Sequence, residues 1–159
     1  MGRLQQQLTF RKYLAQHLTQ MSVLARHEVK AESLESLDET CRLRSLASTP
    51  KEWGVYKIEL DFEERHSSRF HNLVEELWKL NPRPVYVWTK HASTCGVLSI
   101  PSIHEINFSF DYHIDPNGII TFSTEDMKDH MTLEFFEDQA GTRRLQVLLM
   151  GENWSNARY

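Results

Sequence analysis

Apolar residues recur at helical spacing in the first third of the chain and at a spacing of two after it. Phe10, Tyr13, Leu14, His17, Leu18, Met21 and Leu24 lie three and four positions apart, which predicts a helix with one buried face. Lys30 to Glu32 is a polar break. Ser33 then reads as an N-cap, with Leu34, Leu37, Cys41 and Arg44 following at helical spacing and Pro50 as the stop. Two helices joined by so short a break are expected to pair as a hairpin.

Beyond Pro50, Tyr56, Ile58, Leu60 and Phe62 alternate with Val55, Lys57, Glu59 and Asp61, a strand with one apolar face. A helix is predicted near Ser67–Leu80, with Phe70, Leu73, Val74, Leu77 and Trp78 as its stripe. Pro82 and Pro84 end it. Val85–Thr89 is a short, fully apolar strand, and Cys95–Ile100 reads as another. Ile106, Phe108, Phe110, Tyr112 and Ile114 alternate with polar residues and give the clearest strand pattern of all. Asp115-Pro116-Asn117-Gly118 is a turn, because proline presets φ and glycine accepts the left-handed position. Ile119–Thr124, Met131–Phe136 and Arg144–Met150 follow as strands, the last two joined by the loop Glu137–Gly141. The predicted class is α+β: N-terminal helices over 1–50, then one β-α-β step and a mainly antiparallel meander over 51–159.

Composition agrees with one domain. The chain has 159 residues, 40% hydrophobic and 25% charged, which excludes a disordered chain, a collagen and a coiled coil. No stretch approaches the ~20 apolar residues of a membrane span, and the first twenty residues lack the apolar run of a signal peptide. Residues 1–27 contain Arg3, Arg11, Lys12 and Arg26 and no acid, which also suits a mitochondrial transit peptide; their Gln-rich, Ser-poor character favours a surface helix. Cys41 and Cys95 are too few for a disulfide framework and fit a reducing, cytoplasmic compartment.

Motifs for chemistry are sparse. Cys95 follows His91 by four residues, but it opens an apolar stretch and reads as a buried structural cysteine. Asp111 and His113 share one face of a predicted strand, and His130 or Glu134 could join them, so a small hydrolase or metal-dependent enzyme is the alternative reading. No zinc-type pair and no Gly-rich phosphate loop is present, and no metal, cofactor, nucleic-acid or membrane partner is expected.

Charge changes the picture most. Residues 101–140 hold 9 acids and 1 base, whereas residues 1–100 hold 12 acids and 14 bases. Either the acids form a solvated face or they form a surface for a basic protein. Under the second reading, Asp111, Asp115, Glu125, Asp126, Asp129, Glu134, Glu137 and Asp138 are charge contacts. Phe136 and His113 are anchors, because parity places Phe136 beside Glu134 and opposite Met131, Leu133 and Phe135.

The segment DPNGIITFSTEDMKDHMTLEFFED, followed by RRLQVLLMGENW, resembles the C-terminal sheet of small bacterial immunity proteins. These accompany polymorphic toxins, including those of contact-dependent growth inhibition. The resemblance covers the last third of the chain. It implies a non-enzymatic, cytoplasmic protein that binds and blocks one cognate toxin domain, and the acids suit a basic, nuclease-like one. A structural subunit docking through its N-terminal helices is a third possibility.

Overall fold

A computed structural model describes residues 2–48 and 51–159. It is an α+β fold with helices α1 (Arg3–Ala25), α2 (Leu37–Ala47), α3 (Ser68–Leu80) and the single turn α4 (Ala92–Cys95). Six strands, β1 (Gly54–Asp61), β2 (Val85–Trp88), β3 (Leu98–Ile100), β4 (Ile119–Thr124), β5 (Asp129–Glu137) and β6 (Arg143–Gly151), form one sheet in the order β1-β6-β5-β4-β2-β3. Every neighbouring pair is antiparallel. β1 and β2 therefore run in the same direction with three strands between them, so the predicted β-α-β step spans most of the sheet.

The core lies against one face of the sheet. Ile58, Leu60, Met131, Leu133, Phe135, Val147 and Leu149 point into it, and Phe70, Leu73, Val74 and Leu77 of α3 cover them. Ser67 starts α3 by accepting a hydrogen bond from the Phe70 N–H at 3.1 Å, the geometry of an N-cap. The C-terminal half of α1 adds Met21 and Leu24, while residues 2–8 are exposed on every side.

Four expectations are corrected. The strand predicted over 106–115 is absent. Ile106, Phe108 and Phe110 are buried in the core as their alternation suggests. Their backbone, however, bonds outside the ladder: Asn107 N–H to Leu24 O at 2.8 Å, and Phe110 O to the Arg65 guanidinium at 3.0 Å. The residues Cys95–Ile100 divide into the end of α4 and the shorter β3. The second helix is capped by Ser36, which accepts from Glu39 N–H at 3.1 Å, and buries Thr40 and Leu43 where Leu37 and Cys41 were expected. Finally, α1 and α2 do not pair mainly with each other, since both pack on α4. His17 Nε2 lies 2.8 Å from Gly96 O, Tyr13 stacks on His91 at 4.3 Å, and Thr40 Oγ1 accepts from Val97 N–H at 3.2 Å. α4 is thus the post on which both helices lean. The expected stop at Pro50 lies outside the described residues.

Candidate functional site: the second face of the sheet

Strand register assembles a second surface opposite the core. One row across the sheet reads Val55, Met150, His130, Ser123 and Tyr86, and the next reads Lys57, Leu148, Thr132, Thr121 and Trp88. Two outer rows carry Glu59, Gln146, Glu134 and Ile119, then Asp61, Arg144 and Phe136. α2 covers one corner, where Leu43 packs with Tyr86, Val97 and Met127, and with Ala47 and Trp88 at the edge. No described element covers the outer rows, where Glu59, Asp61, Ile119, Glu134 and Phe136 are exposed.

At the junction of covered and open halves lies a cavity of about 290 Å³ lined by Trp53, Trp88, His130, Met150 and their neighbours. His130 is 4% exposed. Its Nδ1 lies 2.7 Å from Ser123 Oγ, and the Trp53 ring leans on it at 5.0 Å. Burial pulls the His130 pKa below its ordinary value, and Lys51 acts in the same direction, against Asp129 and the Met127 backbone. Its Nε2 is buried without a hydrogen-bond partner among the described residues, as is Trp88 Nε1. Ser123 is buried as well, so its hydroxyl is closed to a bulky substrate.

The ten residues proposed from sequence fall in five places. Asp115 and Asp129 are not on a wet face: they are 3% and 0% exposed. Asp129 accepts from Asn81 Nδ2, Asn153 N–H, Asn153 Nδ2 and Trp154 N–H, all within 2.9 Å. Asp115 accepts from Gln20 Nε2 at 3.0 Å and from the Lys90 and Asn117 N–H groups. Parity misplaced Asp115 because the strand it assumed does not exist.

Asp126, Glu137 and Asp138 have local duties. Burial favours the neutral form of Asp126, but hydrogen bonds from Thr124, Lys128 N–H and Asn81, with the charge of Arg83, outweigh it and hold the pKa below the usual value. Glu137 pairs with Arg143 at 3.8 Å, and Asp138 accepts from the Ala140 and Thr142 N–H groups of its loop.

Glu134 and Phe136 stand on the uncovered rows of the second face, with Phe136 37% exposed. Glu125 is exposed at the opposite end of the β4–β5 hairpin. The acids therefore form no single patch. Asp111 and His113 border a separate groove against Gln16, Gln20 and Val23 of α1, of about 480 Å³, so neither shares a site with His130. No group of three metal-binding side chains occurs among the described residues. Cys95 is buried, which pushes its thiol pKa up, away from the reactive thiolate.

Sequence reasoning missed Trp53, Trp88 and Ser123. One signal was present: the run Val85-Tyr86-Val87-Trp88 is apolar at both parities, which means cover on both faces of that strand.

No helix among the described residues is long and apolar enough to cross a membrane. No protein-family model matches the chain, and neither a curated protein nor a solved structure matches it.

Proposed function

We propose that this chain is a non-catalytic, cytoplasmic binding module of the immunity type, which holds a basic toxin domain against the open rows of its second sheet face. The observation that carries this reading is the exposure of Ile119, Glu134 and Phe136 on an uncovered half-sheet. Large apolar side chains next to an unpaired acid, ringed by charge, suit a protein interface with an anchor and a polar rim.

Charge supports the partner's sign. Lys57 is paired with Glu59, Asp61 with Arg144, and Glu137 with Arg143. Among the described residues, Glu134 meets only Gln146 Nε2, at 3.4 Å. On these outer rows and among the described residues, the carboxylate without a counter-ion is the one beside Phe136, where a partner's lysine or arginine would supply it.

The test is growth rescue. The chain is coexpressed with a toxin domain encoded next to it, alongside the double variant Glu134→Lys/Phe136→Ala. Rescue by the parent chain and loss of rescue by a folded double variant support the reading. Failure of the parent chain to rescue overturns it.

A further inference from the structure

The cavity beside Trp53 has a chemistry of its own. Its walls include Arg44, Trp53, Trp88, His130 and Met150, and no acid, although the chain as a whole carries a net charge of −4. Arg44 is exposed on α2 and forms no ion pair among the described residues. Lys51 stands over the Trp53 ring, with Nζ 4.6 Å from its centroid. Two cations therefore flank an aromatic pocket in an acidic protein.

The walls also hold two unmatched groups. A buried tryptophan N–H normally finds an acceptor. Trp154 does, donating to Leu77 O at 2.9 Å. Among the described residues Trp88 Nε1 finds none, and neither does His130 Nε2. Ser123 Oγ sits on the other ring nitrogen of His130. When Ser123 donates to Nδ1, the proton of the neutral ring is on Nε2, and Nε2 becomes a donor. Buried donors without acceptors destabilise the folded chain. An acceptor entering the cavity removes that cost.

We propose that this cavity binds a small planar carboxylate. The flat body of the ligand lies against Trp53, Trp88 and Met150. Its carboxylate accepts from Trp88 Nε1 and His130 Nε2, and Arg44 and Lys51 supply the positive field. Neither nitrogen touches solvent in the free protein, and a small shift of the Trp88 and His130 rings opens both to a ligand inside the cavity. The volume lies at the lower edge of small-molecule sites, about 300 Å³, which suits a single-ring acid. This site does not depend on the protein-binding reading, whose anchors lie on the outer rows of the same face.

Benzoate tests it, with benzylamine as the probe of equal size and opposite charge. The readout is the indole N–H resonance of Trp88 in the ¹⁵N-labelled full chain. Benzoate is expected to shift it saturably with a Kd on the order of 1 mM or tighter, and benzylamine is expected to leave it in place. Arg44→Glu, an exposed change, should weaken benzoate roughly tenfold or more. The Trp154 indole signal, whose N–H donates to Leu77 O in the core, reports that each variant is folded. Absence of a saturable shift overturns the proposal. So does equal affinity for benzylamine, or unchanged benzoate affinity in a folded Arg44→Glu protein.

Discussion

The carboxylate of Asp129 accepts the backbone N–H of Trp154 at 2.9 Å and so ties the head of β5 to the C-terminal turn. Both residues are fully buried, and Asn81 from the end of α3 donates to the same carboxylate at 2.7 Å. One acid thus joins three parts of the chain. Asp129→Ala would leave several buried donors without an acceptor, and a loss of stability on the order of 3 kcal/mol or more is expected. The milder Asp129→Asn change keeps one acceptor oxygen and should cost less. Urea unfolding followed by tryptophan fluorescence measures both, and a loss below about 1 kcal/mol for the alanine variant would remove Asp129 as a structural tie.

Acid should weaken the fold through three histidines. His17, His91 and His130 are buried, and burial holds each pKa below the ordinary 6.5. Their mutual and neighbouring cations, His91 on His17, Lys90 on His91 and Lys51 on His130, act the same way, while Asp115 and Asp129 oppose on the latter two. Below pH 6.5 the unfolded chain binds more protons than the folded one. Stability is therefore fully present above that pH and falls as pH drops toward the lowered folded values. The urea midpoint is expected to be lower near pH 5.5 than near pH 7.5, and His17→Gln should flatten the slope. A midpoint that does not fall on acidification would contradict neutral burial of these rings.

The meander over 119–150 was legible because β4, β5 and β6 each bury one face and leave the other partly wet, which imprints a period of two. The same period misled at 106–115. Alternate burial needs only an extended chain lying on a core, and here Arg65, Asn107 and the end of α1 satisfy the backbone that a neighbouring strand would have served. The acidic block was legible as composition and illegible as a surface. What buries Asp115 is Gln20, 95 positions away, and what buries Asp129 is Asn81 and Asn153, 48 and 24 away. Polar partners at such distances leave no local pattern. The shared face of Phe136 and Glu134, in contrast, followed from strand parity, whereas parity left open whether a second element covers that face.

Gly151 should not accept a side chain. It closes β6 with φ +130°, a conformation that side-chain-bearing residues rarely adopt. A Cβ there would also collide with the Lys128 carbonyl and the Asp129 carboxylate. Gly151→Ala combines backbone strain with displacement of the Asp129 tie, so a loss of more than about 2 kcal/mol is expected. Thermal melting of the variant measures it. An unchanged melting temperature would mean that the strand end is free to move away from Asp129.

Asp115 and Glu125 come from the same acidic block and should respond in opposite ways. Asp115 is the latch of α1: its Oδ2 accepts from Gln20 Nε2 and from Lys90 N–H, and its Oδ1 from Asn117 N–H at 2.9 Å. Gln20 also donates to Ile114 O at 2.9 Å, so one glutamine fixes the helix to the start of the turn. Asp115→Ala unpairs these donors and is expected to cost about 2 kcal/mol. The loss should be local at first, with faster amide exchange over 17–25 in α1 and over the turn at 115–118, before the sheet itself is affected. Glu125 is exposed and lies at a hairpin end. Glu125→Ala should change stability by no more than about 0.5 kcal/mol. Hydrogen exchange of the two variants beside the parent chain separates the roles. Equal effects from both would mean that burial of Asp115 does not latch α1, and that these two acids act only as solvated charge.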